Sequence, residues 1–378
     1  MHGLDVIQGD EFLVALRCGS ARFSPNRSLE RFMVKRIFVL PKPLGVIFVL
    51  AITVVLGTAG LGKLSLAQEN QNGARQSRNG DDAEIHVLPV QGNVYMLAGA
   101  GGNITVQAGK EGILLVDTGL APMSDKIFAA IRTISDKPIR YIINTSVDAP
   151  STGGNESIAK RGSTIAGGNV VGTIGASAGE GATVIAFQTI LDRMSAPTGK
   201  KPPAPEGAWP TDTFTTNEKT LFFNGEAIQI LHQPAAHTDG DSLVFFRRSD
   251  VVSTGEIFTT TGYPVIDLEK GGSIQGIIDG LNRLVYQITI PADKEEGGTY
   301  VIPGHGRLCD QADVIYYQEM VIIIRDRIQD MVKKGMTLEQ VKAAHPTTDY
   351  DPRYGSNTGP WTTDMFVEAV YRSLNKKH

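Results

Sequence analysis

Side chains that could do chemistry stand at five points of this sequence, each just after a short apolar run. Asp117 lies in Val-Asp-Thr-Gly, Asp148 in Thr-Ser-Val-Asp, His237 in Ala-His-Thr-Asp-Gly-Asp, Glu256 in Ser-Thr-Gly-Glu and His305 in Pro-Gly-His-Gly. Imidazole and carboxylate groups hold metal ions in proteins. Loops that follow strands gather side chains from distant parts of a chain at one edge of a sheet. The pattern predicts a functional site at such an edge.

Each of these residues also has a purely structural interpretation. His237 could fix the turn over residues 238–241, and His305 could pack against the sheet edge. Asp148 could form an Asx-turn before Pro150, since short polar side chains bond to their own backbone in turns. Asp117 is expected to accept loop N–H bonds beneath the site. His232 alternates with apolar residues and is expected to be a satisfied core or rim histidine.

The elements that must position these residues form two strand–helix series. Apolar runs separated by glycine turns predict strands over 85–89, 94–97, 104–106, 113–116 and 139–143, with a helix over 123–134. A second series predicts strands over 220–223, 227–231, 242–246 and 251–254, and Asn224-Gly225 is a strong hairpin signal. Between the series, a helix is predicted over 182–194 and a proline-rich loop over 195–213. Helices close the chain, including a capping box at Thr337 and Gln340.

Composition excludes several classes of protein. The 378 residues carry a net charge of −4, which gives no electrostatic footprint for nucleic acid. The only cysteines, Cys18 and Cys309, stand on opposite sides of an apolar segment, so neither a disulfide framework nor a cysteine metal site is expected. The expected partner is a small-molecule substrate or ligand.

The N-terminal region has the pattern of an export signal. Residues 44–62 are uncharged and follow Lys35, Arg36 and Lys42, and Ser65-Leu66-Ala67 offers a cleavage site. The run is also long enough to span a bilayer as an uncleaved anchor, the only contact with a membrane that we expect. In both cases we expect the remainder of the chain to be exported. It would then lie in the periplasm, be secreted, or stay anchored to the membrane by its N-terminal segment. The mixed-charge start suggests that Met33, not Met1, opens the signal. Residues 1–67 thus form an extension with the signal, 68–83 a polar linker, and 84–378 the folded domain.

The chemically active segments, in their order and spacing, resemble the metallo-β-lactamase superfamily over residues 84–309. Asp117 in Val-Asp-Thr-Gly, the Thr-Gly-Gly-Asn run at 152–155, His237 and His305 all match landmarks of that family. Several landmarks in the correct order make a specific signal. The resemblance implies a mixed α/β fold, the four-layer αββα sandwich, and an activity of metal-assisted hydrolysis.

This sequence departs from the family at the metal-binding loop. The family pattern His-x-His-x-Asp-His matches Ser146, Asp148, Pro150 and Ser151 here, so all its histidines and its aspartate are replaced. Serine hydroxyls are poor zinc ligands and proline has no donor. The resemblance therefore implies a depleted site, too poor in ligands for two zinc ions.

One metal site could survive the depletion. His237 and His305 keep the family's residue, and Glu256 stands where the family has a bridging aspartate. With Asp148 they make a set of two imidazoles and two carboxylates that suits one zinc ion, or one iron or manganese ion. Asp241 would support this set from beneath, as Asp117 would. The alternative is that no metal binds.

Two functions follow from this resemblance. The first is a hydrolase that cleaves an unknown amide, ester or thioester with a metal-bound water. The second is an inactive binding protein of the cell envelope, in which Ser146, Ser151 and Trp209 would line a ligand pocket. A serine nucleophile at 146 or 151 is a third possibility, but neither residue has a neighbouring lysine or a nucleophile-elbow setting. β-Lactam hydrolysis is expected to be weak or absent because Pro150 cannot orient a water molecule.

Overall fold

Short apolar strands and tight turns build a first β-sheet of seven strands. The computed structural model describes residues 84–164, 181–196, 202–294 and 297–375, which belong to one compact unit, Gly73–His378. The strands run in chain order across the sheet: β1 (His86–Gln91), β2 (Val94–Ala98), β3 (Ile104–Gly109), β4 (Gly112–Val116), β5 (Ile139–Ile143), β6 (Thr183–Phe187) and β7 (Asp212–Phe214). β1 to β4 are antiparallel, and β4 to β7 are parallel.

A second sheet of five strands follows. Its strands are β8 (Glu218–Phe223), β9 (Glu226–Gln233), β10 (Asp241–Phe246), β11 (Val251–Ser253) and β12 (Tyr300–Ile302), and they lie side by side in the order β12-β11-β10-β9-β8. The two-residue turn at Asn224-Gly225 joins β8 to β9, as the sequence predicted, with both residues at positive φ. β12 pairs in parallel with β11, so the loops after both strands leave at the same edge.

Helices cover the outer faces of both sheets. They are α1 (Ser124–Ile134), α2 (Ala149–Thr152), α3 (Asn155–Ala159), α4 (Gln188–Ser195), α5 (Ile274–Arg283), α6 (Gln311–Lys333), α7 (Leu338–Ala343), α8 (Asp351–Tyr354) and α9 (Thr363–Leu374). α1 and α3 pack on the first sheet, and α5, α6 and α9 pack on the second. In the part of the chain that the structure describes, no helix is long and apolar enough to cross a membrane.

The alternation of side chains along each strand separates the core into layers. Leu114 and Val116 in β4 face the second sheet, whereas Ile113 and Leu115 face α1 and α3. Successive strand residues point to opposite faces, so a strand covered on both faces is apolar throughout. The order helix, sheet, sheet, helix confirms the predicted αββα sandwich.

One predicted element is wrong, and several were missed. The predicted helix over 182–194 is instead strand β6 followed by helix α4. The run Thr-Val-Ile-Ala-Phe is apolar on both faces because β6 lies between two parallel neighbours, and such a run has no period that distinguishes strand from helix. The missed elements include α2, α3, β7, α5 and β12. The predictions for residues 1–83 lie outside the described residues.

Candidate functional site

Loops at one edge of the two sheets bring the predicted residues together. Asp117 follows β4, residues 144–148 follow β5, Glu256 follows β11 and His305 follows β12, while His237 stands in the loop between β9 and β10. Backbone hydrogen bonds join these loops across the sheets: the N–H of Ser242 donates to the carbonyl of Thr145 at 3.0 Å.

Asp117 holds the loop after β5 through two hydrogen bonds. It is buried and adopts φ +66°, and its carboxylate accepts bonds from the backbone N–H and hydroxyl of Thr145 at 2.8 and 2.6 Å. Burial raises the pKa of Asp117 to about 7, although the two bonds from Thr145 oppose this rise. The prediction that Asp117 accepts loop hydrogen bonds beneath the site is confirmed.

An amide cluster that sequence reasoning missed connects the loops after β4 and β5. Asn144 and Asn155 are buried and bonded to each other, and Asn155 also accepts from the hydroxyl of Thr118 at 2.9 Å. The two glycines before Asn155 permit this contact, because a Cβ at Gly154 would lie 2.4 Å from the Thr118 carbonyl. The signal was present in the Thr-Gly-Gly-Asn run, but the run alone did not show its partners.

Ser146 and Ser151 are bonded to each other within the loop after β5. Both side chains are buried, and their hydroxyls lie 3.0 Å apart. Neither contributes to the walls of the two cavities of about 390 and 380 Å³ among the described residues. Trp209 also lies outside those walls, and its indole N–H donates to the Ala204 carbonyl at 3.0 Å. Among the described residues these three side chains make internal bonds, and the predicted pocket of Ser146, Ser151 and Trp209 stays a prediction.

Asp148 and His237 form the first of two carboxylate–imidazole pairs. His237 Nε2 lies 3.1 Å from Asp148 Oδ2, and His237 Nδ1 lies 3.6 Å from Asp241 Oδ1. Burial alone would lower the pKa of His237, but Asp148 and Asp241 outweigh burial and raise it to about 10. Asp241 also accepts bonds from the backbone N–H and hydroxyl of Thr238 at 2.7 and 2.9 Å, so it fixes the His237 loop.

Lys270 is the site residue that sequence reasoning missed. Its ammonium donates to Asp148 Oδ1 at 3.0 Å and to Asp267 Oδ2 at 2.7 Å. Burial would raise the pKa of Asp148, but the bonds from His237 and Lys270 lower it to about 2. Both oxygens of Asp148 therefore face a cation of the protein itself. Asp148 and Lys270 are 122 residues apart, and the sequence around Lys270 carries no motif.

Glu256 and His305 form the second pair. His305 Nε2 donates to Glu256 Oε1 at 3.1 Å, and about a third of the His305 side chain is exposed. Burial opposes ionisation of both groups, but their mutual attraction outweighs burial, so the pKa of His305 is raised and that of Glu256 is lowered. The pair lies in the wall of a cavity of about 390 Å³ that Tyr263, Tyr354 and Trp361 also line.

The donors present do not fit a resident zinc ion. A catalytic zinc site has three protein ligands and an open position. Here Asp148 and His237 form one pair and Glu256 and His305 another, and Lys270 takes the remaining oxygen of Asp148. Within the described ranges, no three or more His, Cys, Asp or Glu side chains are grouped so that they could hold a metal ion. The predicted four-ligand set is thus divided into two ion pairs.

The comparisons with known proteins identify the family. A model of the metallo-β-lactamase superfamily matches residues 97–305, more than half of the chain, so this chain belongs to that superfamily. No curated protein sequence matches significantly.

Solved structures agree on the fold. The stereoselective inverting sec-alkylsulfatase Pisa1 from Pseudomonas sp. matches with a TM-score of 0.52 at 13% identity, over 77% of this chain and 50% of that one. A metallo-β-lactamase from Pontibacter korlensis matches at 15% identity with a TM-score of 0.46, over 63% of this chain and 99% of that one. This chain thus spans half the length of the sulfatase.

Proposed function

We propose that this protein is a hydrolase of a small-molecule amide, ester or thioester, and that the reaction takes place beside His305. The proposal is carried by one observation: the Glu256–His305 pair is the ionisable pair in the wall of a cavity large enough for a small molecule. Membership of a superfamily that includes hydrolases supports it.

The geometry suits general acid–base catalysis. Glu256 accepts the Nε2–H of His305 and so orients the ring, while no bond from the described residues engages Nδ1 of His305. After His305 has released the proton of its ion pair to solvent, the neutral ring would take a proton from water through Nδ1 as the water oxygen attacks the carbonyl carbon. The same proton would then pass to the leaving nitrogen, oxygen or sulfur as its bond to carbon breaks. Such a positioned base contributes about 10²- to 10⁴-fold to rate.

The test compares matched variants on phenyl acetate, acetanilide and phenyl thioacetate. We expect His305→Ala to lower kcat/KM by about 10²-fold or more, and Glu256→Gln by less, because the base survives without its orienting partner. His345→Ala is the control, since His345 is exposed and lies outside the cavity. Equal rates in wild type and His305→Ala would overturn the assignment. Because an alkylsulfatase shares the fold, a secondary alkyl sulfate belongs in the panel.

Metal dependence is measured on the same preparations. The family resemblance implied one zinc, iron or manganese ion, but the donors of this site form two separate pairs with two ligands each. We expect activity to survive chelator treatment. One equivalent of metal by mass spectrometry, lost in both His237→Ala and His305→Ala together with activity, would replace our acid–base assignment with a metal-assisted one.

An inactive binding protein is the other outcome of this test. Saturable ligand binding in the cavity with no turnover of any panel member would favour it. We further propose that the protein acts outside the cytoplasm, on the basis of the apolar run at 44–62. N-terminal sequencing of the protein from its native host tests this: a start at Gln68 supports cleavage, and a start upstream of the apolar run supports an anchor.

A further inference from the structure

The cavity beside His305 is built by two distant parts of the chain. One wall comes from the loop after β11, including Thr259 and Tyr263, and the other from residues 354–363, between α8 and α9. Tyr263, Tyr354 and Trp361 supply three aromatic rings. Six further lining side chains carry hydroxyls: Thr259, Thr261, Ser356, Thr358, Thr362 and Thr363. The walls therefore offer apolar rings and uncharged polar groups.

The charge in this cavity is balanced internally. Among the described residues, no lysine, arginine or aspartate lines it. Its two ionisable lining groups with opposite charges, Glu256 and His305, lie 3.1 Å apart and neutralise each other. The nearby Arg353 is directed onto the rings of Tyr316 and Tyr354 instead. A bound anion would thus lose its hydration and find no unpaired cation, which is unfavourable.

One donor in the wall remains without a partner. The indole N–H of Trp361 has no hydrogen bond to any described residue. Unsatisfied buried donors are rare in folded proteins, but this N–H is covered by protein atoms, so the rings of the wall, and not this donor, would contact a ligand. Aromatic rings favour contact with another ring.

We propose that the cavity takes an uncharged substrate with an aromatic-sized apolar body and excludes the corresponding anion. This inference rests on the proposed function for the identity of the reaction, but not for binding. A preference for uncharged substrates would distinguish this protein from enzymes whose substrates carry a carboxylate or sulfate beside the scissile bond.

The binding test uses Trp361 as its own reporter. The chain has two tryptophans, and Trp209 lies outside the cavity wall, so Trp209→Phe leaves one reporter at the site. Acetanilide and 4-acetamidobenzoate differ only by a carboxylate. We expect acetanilide to change the fluorescence saturably and the anion to bind at least about tenfold more weakly. In Trp361→Phe, the remaining Trp209 should report no change. Equal or tighter binding of the anion overturns the proposal, and so does the absence of binding by either ligand to a folded protein.

A charge insertion gives the reverse test. Thr358 is exposed and lines the cavity, so Thr358→Lys should strengthen 4-acetamidobenzoate binding about tenfold or more, since an unpaired cation then faces the anion. Thr348→Lys is the matched control, because Thr348 is exposed but outside the cavity. A gain in both variants would show a general surface effect and overturn the cavity as the site.

Turnover distinguishes this inference from the proposed function. Phenyl acetate and 4-acetoxybenzoate form the corresponding pair of esters. Selective binding of acetanilide without hydrolysis of either ester would retain the inference and remove the hydrolase. Hydrolysis of both esters at equal kcat/KM, dependent on His305, would retain the hydrolase and remove the inference.

Discussion

At the scale of single residues, the contribution of Asp117 to the stability of the fold depends on its protonation. Its carboxyl is fully enclosed, and its folded pKa of about 7 is above its ordinary value of 3.8. The folded state therefore binds more protons than the unfolded state between these two pH values. By linkage, the contribution of Asp117 to stability falls as the pH rises from about 4 to about 7.

Asp117→Asn tests this linkage. Asparagine keeps an acceptor for the Thr145 N–H and tolerates positive φ, but it does not titrate. We expect the stability of wild type relative to Asp117→Asn to decrease between pH 5 and pH 8, as measured by urea unfolding. Asp136→Asn, at an exposed position, serves as the control. Parallel pH curves for wild type and Asp117→Asn would contradict the expectation.

The residues of the site were predictable to different degrees. The sequence identified Asp148, His237, Glu256 and His305 because each stands in or beside a motif after an apolar run. It could not show that they divide into two pairs, since pairing depends on how the loops cross the sheet edge. Lys270 was beyond reach, because a lone lysine in a loop has the pattern of a solvated surface residue.

At the scale of elements, Asn224 links the β8–β9 hairpin to the first sheet. Asn224 Nδ2 donates to Gln107 Oε1 and to the Gly112 carbonyl at 3.2 and 3.1 Å, and its Oδ1 accepts from the Glu111 N–H at 3.0 Å. The residue therefore acts both as a turn former at φ +53° and as a contact between the two sheets.

Two substitutions separate these roles. Asn224→Gly keeps the turn conformation and removes the side-chain bonds, so we expect a loss of about 1–2 kcal/mol. Asn224→Ala removes the same bonds and also places at positive φ a residue that tolerates it less well than glycine or asparagine, so it should lose about 1–2 kcal/mol more than Asn224→Gly. Denaturant unfolding measures both. If the two variants were equally stable, the turn conformation would not contribute.

Helix α5 supports the His237 loop through a glycine. A Cβ at Gly276 would lie 1.8 Å from the Ala235 carbonyl, two residues before His237. Alanine normally favours a helix by about 1 kcal/mol over glycine, but here the clash must displace either the helix or the loop. We expect Gly276→Ala to destabilise the fold by about 2 kcal/mol or more, as overpacking does.

The control for α5 is a glycine with free space. The nearest atom to a Cβ at Gly262 is 3.9 Å away, so Gly262→Ala should leave the midpoint of thermal unfolding almost unchanged. An equal loss in both variants would show that close packing at Gly276 is not the cause. Helix α5 itself escaped prediction, because its two interior glycines lower helix propensity and only the packed structure explains them.

At the scale of the whole molecule, the C-terminal helices are part of the main core. Phe366 in α9 is fully buried and stacks on Tyr263, with ring centroids 4.6 Å apart. The family landmarks end near residue 309, so the sequence resemblance predicted the sandwich but not the packing of the C-terminal helices on its core, which we call the C-terminal closure. The cavity beside His305 exists because residues 354–363 return to the sheet edge.

Phe366→Ala tests this closure. Removing a buried phenyl ring should cost about 3–5 kcal/mol of stability. It should also weaken acetanilide binding, because Tyr263 lines the cavity and loses its stacking partner. Met365→Ala is the neighbouring control, since 43% of Met365 is exposed. A stable Phe366→Ala protein with unchanged binding would show that α9 only covers the surface.

The ion pair between Lys270 and Asp148 would oppose metal binding at this site. In this chain the positive charge beside Asp148 belongs to a lysine side chain, so it is present whatever the concentration of metal ions in the surroundings. The family's metal-binding loop would require histidines in place of Ser146, Asp148 and Ser151 and an aspartate in place of Pro150. It would also leave Lys270 without a bond to residue 148 and facing an incoming cation. Histidine at position 146 or 151 would break the bond between the two serine hydroxyls, and histidine at position 148 would lose the ion pairs of Asp148, so each of these substitutions would remove an existing contact.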